Sequence, residues 1–234
     1  RKAKTHKIQN IKMPYRKRSS RNSRQKKKVS PYGRRGKIYG AATAQLYKDV
    51  AMLKNLINVE FKSSDTTHAE GALAQVSEGF LLNGLLKGDA ISTRDGRQVR
   101  WKSVQVDGYF VQHASANNTN MRVVLVIDKQ PSEVEPAFTD IYDTDTETSH
   151  RNLNNRKRFV ILRSFNIVLS TQGDLGMKTF KIYEKLDMKT VYDASNTGDV
   201  SDISSNAMYL FFVSNQATNR PSVQFNSRMR FIDN

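Results

Sequence analysis

The chain has 234 residues, 38% of them hydrophobic and 26% charged, enough apolar material for one packed domain with an appendage. It carries 38 Lys and Arg against 22 Asp and Glu, and residues 1–40 alone hold 16 of the basic residues and none of the acidic ones, so the remaining 194 residues balance at 22 against 22. A neutral domain bearing a polycationic arm is the implied plan. The lack of cysteine excludes disulfides, cysteine-ligated zinc and thiol catalysis, and no apolar run reaches the roughly 18 residues of a membrane helix.

The arm comes first. Its stretch Arg16 to Lys37 has almost no apolar side chain and repels itself, so on its own it is expected to stay disordered. Its natural counter-charge is a phosphate polymer, since binding there releases condensed counterions. The expected contacts are Lys2, Lys4, Lys7, Lys12, Arg16, Lys17, Arg18, Arg21, Arg24, Lys26, Lys27, Lys28, Arg34, Arg35 and Lys37. Tyr15 and Tyr32, set among these cations, are placed to stack on unpaired bases. No recognition helix or RNA-recognition motif accompanies them, which implies backbone binding without sequence readout. The run Lys17 to Lys28 also has the composition of a nuclear-import signal.

From Ala41 to Asn58 the pattern becomes helical. Leu46, Val50, Leu53, Leu56 and Ile57 share one face, with Lys48, Asp49, Lys54 and Asn55 on others. Residues 59–234 then read as strands broken by Gly, Asn, Asp and Ser. The expected strands are Ala72–Ser77, Gln98–His113, Met121–Lys129, Arg158–Thr171, Met177–Leu186, Lys189–Tyr192, Ala207–Ser214 and Ser222–Asp233. In the last, Val223, Phe225, Met229 and Phe231 point one way while Gln224, Asn226, Arg228 and Arg230 point the other. Eight strands with long polar loops predict an all-β, antiparallel jelly-roll sandwich, against a five-stranded barrel or an immunoglobulin-like sandwich as alternatives. The loop Gln130 to Asn155 is long enough to belong to an interface or outer surface, and Asp193 to Asn206 is a second polar insertion.

No catalytic constellation emerges. His6, His68, His113 and His150 lack metal-ligand spacing, and His68-Ala69-Glu70 has the form of a deaminase triplet without the cysteines that such a zinc site needs. Asp143 to Glu147 opens like a calcium loop but lacks its glycine and its closing glutamate. The chain is therefore expected not to be an enzyme. A cellular, non-specific nucleic-acid-binding protein with a basic tail remains the alternative reading. Such proteins usually spread cations over the folded domain as well.

Two segments carry a closer likeness. Gln75 to Arg100, with Asn83-Gly84, Gly88-Asp89, Arg94-Asp95-Gly96 and Gln98-Val99-Arg100, resembles the stretch leading into the first main strand of satellite tobacco necrosis virus-like coat proteins. Lys157-Arg158-Phe159-Val160-Ile161-Leu162 is similar to a strand of the same proteins, and Phe231 to Asn234 adds a C-terminal match. The chain's style also resembles capsids of circular single-stranded DNA viruses that encode a replication initiator. The resemblance implies a homo-oligomeric icosahedral shell of about sixty copies around a single-stranded genome, DNA favoured over RNA, with the arm directed inward. Sixty arms of +16 amount to roughly 960 positive charges. Localisation would be the virion, with the host nucleus reachable through the arm. The resemblance implies no required cofactor but suggests calcium at subunit interfaces. Its candidate ligands here are Asp95 and Gln98, through main-chain oxygens, and Asp233, with Asp89 as a second candidate.

Overall fold

The computed structural model describes residues 43–53, 61–170 and 176–233. The chain divides into two compact units, Arg1–Ile57 and Asn58–Asn234. In the first, residues 43–53 form helix α1, with Leu46, Val50 and Leu53 exposed along it. All the arm residues expected to bind nucleic acid lie outside the described residues.

The second unit holds nine strands: β1 (Phe61–Ala72), β2 (Ser77–Leu81), β3 (Gln98–Val111), β4 (Asn118–Asp128), β5 (Phe159–Ser170), β6 (Met177–Tyr192), β7 (Ile203–Ser205), β8 (Ala207–Ser214) and β9 (Ser222–Asp233). They form two antiparallel sheets, β1-β9-β3-β6-β7 and β2-β8-β4-β5. Leaving out the three-residue β7, the first strand pairs with the last, the second with the second-last, and so inward to the β4–β5 hairpin. That nested pairing of eight strands is the jelly roll. The sheets hold nine strands where eight were expected, β7 being an addition at the edge beside β6.

Two of the expected strand assignments need correction. Ala72–Ser77 is mostly the turn between β1 and β2, since only its end residues are extended. The strand before it, β1, has the sequence FKSSDTTHAEGA, too polar to show alternation because it is an edge strand with little core contact. Met177–Leu186 and Lys189–Tyr192 are one sixteen-residue strand; Asp187 faces solvent within it and does not end it.

The core lies between the sheets. Phe80 and Phe212 of the second sheet meet Phe110, Phe180 and Phe225 of the first, with ring centroids 5.2–5.7 Å apart. Gly108 leaves room for Phe180 to lie over β3 within the first sheet, because a Cβ there would lie 2.5 Å from the Gln224 carbonyl and 2.7 Å from the Phe180 ring.

The two outer faces differ. All eight residues of β8 are buried. Phe212 faces the core, while Phe211 on the other side meets Phe138 of the short helix α2 (Phe138–Ile141) at 6.0 Å. Segment 129–158 thus covers the second sheet. Arg122 holds it, donating to the Ser149 carbonyl at 2.7 Å and stacking on Tyr142 at 4.1 Å. The expected long loop is therefore a covering layer with its own buried residues. Among the described residues of the second unit the first sheet has no such cover: along β9 buried and exposed side chains alternate.

Candidate nucleic-acid interface and the Asp95–Asp233 pair

The uncovered face of the first sheet is built by alternation. In β9 the core takes Val223, Phe225, Met229 and Phe231, which leaves Asn226, Arg228 and Arg230 outside. In β6 Phe180 and Ile182 point inward, and Lys181, Tyr183, Lys185, Asp187 and Lys189 point outward. A bulge between Trp101 and Ser103 of β3 keeps Arg100 and Lys102 available to the same face.

Its charges sort into paired and unpaired sets. Arg228 grips Asp65 with two bonds, Nε to Oδ1 at 2.8 Å and Nη2 to Oδ2 at 2.6 Å. Lys181 lies 3.1 Å from Asp107, which also accepts from Gln105 at 2.6 Å. Arg100 meets Asp187 through two 2.6 Å bonds, and Lys102 joins at 3.3 Å. Those partners, Arg100 first, hold the Asp187 carboxyl down at about 2, so it stays charged under all ordinary conditions. Hydrogen bonding from Arg228 likewise lowers Asp65, and Gln105 with Lys181 lowers Asp107.

Arg230, Lys185 and Lys189 make no ion pair among the described residues. Arg230 stands opposite Ser103, and Ser103 opposite Lys185, so two free cations flank a hydroxyl on one row across three strands. Seven cations (Arg100, Lys102, Lys181, Lys185, Lys189, Arg228, Arg230) face four carboxylates (Asp65, Glu70, Asp107, Asp187) on this surface. Two polar troughs of about 350 Å³ each open on it, one lined by Asp65, Gln105, Asn226 and Arg228, the other by Gln98, Arg100, Asp187 and Lys189. Of these cations, β9 alternation reveals Arg228 and Arg230 in the sequence. The β6 lysines are missed because that strand reads as two.

The suggested calcium ligands are partly brought together. Asp95 and Asp233 are neighbours: the Asp95 backbone N–H donates to Asp233 Oδ2 at 2.5 Å. The Lys62 ammonium lies 3.1 Å from Asp95 Oδ2 and 3.4 Å from Asp233 Oδ2. Lys62 is 2% exposed, and nothing in its polar surroundings signals that burial in the sequence. Gln98 opens β3 opposite Val191, and Asp89 is exposed in the loop before it. Among the described residues no group of three or more His, Asp or Glu side chains is placed to hold a metal ion. None of their helices is long and apolar enough to cross a membrane.

A family model described as geminivirus coat protein/nuclear export factor BR1 matches residues 1–234. No curated protein sequence matches the chain. Solved structures similar to it include a chain of desmodium yellow mottle tymovirus, at 11% identity and TM-score 0.35 over 75% of this chain and 87% of that one. Another is a heated full particle of Israeli acute paralysis virus, at 10% identity and TM-score 0.29, covering 75% and 67%. A third is deformed wing virus carrying a GFP gene, at 12% identity and TM-score 0.25, covering 75% and 77%. These structural likenesses are too remote to bear on function.

Proposed function

The chain belongs to the geminivirus coat protein/nuclear export factor BR1 family, and from that membership we propose that it closes with itself into a small icosahedral shell and holds a single-stranded genome through its basic arm. It is a viral capsid protein, a structural component of the virion. About sixty copies form the shell, the arms turn inward, and DNA is the cargo.

The observation that carries this reading is the partition of charge. All of the net +16 resides in residues 1–40, and the remainder sums to zero. A domain with no net charge packs beside copies of itself without mutual repulsion, while its arm supplies the counter-charge of a polyphosphate. The outer face of the first sheet supports an auxiliary role, since Arg230, Lys185 and Lys189 lie on one surface with no ion pair among the described residues. The import-like run Lys17 to Lys28 supports passage through the nucleus.

The test is to purify the full chain and the chain lacking residues 1–40, treat both with nuclease, and recover what is protected. Full-length particles should hold single-stranded DNA, and truncated ones should hold little. Equal protected nucleic acid in both would place the genome contacts outside the arm and refute the proposal.

A further inference from the structure

The cluster of Lys62, Asp95 and Asp233 lies where three distant segments meet: the second residue of β1, the loop before β3 and the end of β9. The resemblance to satellite-virus coats suggests calcium for two of its members, and the geometry does not fit that ion. Calcium needs six to eight oxygens at about 2.3–2.6 Å. Here the space between the two Oδ2 atoms holds an ammonium, at 3.1 and 3.4 Å. Asp233 Oδ2 is further committed to the Asp95 N–H at 2.5 Å. A divalent ion bridging these oxygens would have to displace both donors.

We propose that Lys62 is the resident cation of this cluster, a covalently attached ammonium that closes the site to divalent ions and ties β1, the 82–97 loop and β9 together. Burial supports the assignment. The Lys62 side chain is 1% exposed and that of Asp233 3%, whereas Asp95 is half open to solvent at 53%. A buried ammonium facing carboxylates from two sides is held by both, and an ion arriving from solvent meets one open carboxylate and a positive charge behind it. The loop that brings Asp95 is itself fixed. Arg94, 1% exposed, donates to the carbonyls of Leu85, Gly96 and Ser195, and Ser63 N–H bonds the Ile91 carbonyl at 3.1 Å. The carboxylates therefore cannot swing apart without unpicking the loop.

A second consequence follows from Asp233 Oδ1, which is buried and accepts no hydrogen bond among the described residues. Once the ammonium is removed, that oxygen joins Asp233 Oδ2 and the Asp95 carboxylate as a set of ligands in a vacated, partly buried space. Lys62→Ala should convert the cluster into a divalent-cation site.

The experiment compares melting of the assembled full-length protein in EDTA and in millimolar calcium chloride, alongside calcium titration calorimetry. For the native protein the two melting temperatures should agree within about 1 °C, and no heat traceable to this cluster should appear. Lys62→Ala should melt lower in EDTA and recover most of the loss in calcium, and Asp233→Asn added to it should abolish the recovery. A native protein that is stabilised by calcium, with the effect removed by Asp233→Asn, overturns the proposal. So does a folded Lys62→Ala protein indifferent to calcium. If Lys62→Ala fails to fold, the native protein decides: absence of calcium binding sustains the resident ammonium, and binding lost in Asp233→Asn refutes it.

Discussion

Arg228 and Asp65 meet fork to fork across the β9–β1 pair, at 2.8 and 2.6 Å, whereas Arg230, two residues further along the same face, has no such partner. The difference divides the open sheet into a self-neutralised half and a cationic half. Removing the neutral Arg228–Asp65 pair by double alanine substitution should leave oligonucleotide binding by the chain lacking residues 1–40 almost unchanged. Removing Arg230 and Lys185 together should weaken it and reduce the slope of log K against log salt by about 1.4, the value for two phosphates of a single strand. Equal effects of the two double substitutions, measured by fluorescence anisotropy across a salt series, would show that pairing does not sort these residues.

Thr190 is the polar centre of the core. Its hydroxyl accepts from Trp101 Nε1 at 3.0 Å and Asn83 Nδ2 at 3.1 Å, and donates to the Asn206 carbonyl at 2.9 Å. Asn206 supports this from the left-handed region, φ 59°, which asparagine tolerates well. Thr190→Val keeps the shape but strands the Trp101 donor in a dry site, and should cost about 2–3 kcal/mol in denaturant unfolding.

Segment 129–158 is closed at its base by Asp128 and Arg158, which form two bonds at 2.9 and 2.7 Å. The Asp128 side chain is fully buried and Arg158 about three-quarters buried. Arg158→Ala leaves a carboxylate uncompensated in the interior and should cost about 3 kcal/mol. Hydrogen exchange should then rise across the covering segment before it rises in β3 or β9.

Part of this was legible from residues alone. β9 and the near-continuous apolar β4 announce themselves because their side chains alternate or are buried on both sides. β1 does not, since Lys62 is its one fully buried side chain and a lysine reads as solvent-facing. Its burial depends on Asp95 and Asp233, 33 and 171 residues away. Asp95 and Asp233 were reachable as a pair through resemblance, but the ammonium between them required the fold. The covering role of segment 129–158 was hidden because Phe138, Ile141 and Tyr142 are its large buried side chains, set within a long polar stretch.

Glu135 provides a test of pH dependence. Burial first, and the nearby Glu78 carboxylate second, raise its carboxyl above the ordinary glutamate value. A raised acid favours the protonated folded state, so its penalty is absent below the unfolded value and grows as pH rises through the folded one. Glu135→Gln should therefore raise Tm at pH 8 and have little effect at pH 4. The gain should be small, about 1–2 °C, because the residue keeps much of its surface in water. A larger gain at pH 4 than at pH 8 would show that the Glu135 carboxyl is not raised in the folded protein.

The central claim is that a neutral jelly roll closes on itself while its arm binds the genome. Sedimentation of the purified full-length chain with nucleic acid tests it most directly. Sixty chains of 26.6 kDa make about 1.6 MDa of protein, and the account predicts one sharp boundary at or above that mass, carrying nuclease-resistant single-stranded DNA. A stable monomer that binds nucleic acid without assembling would contradict it.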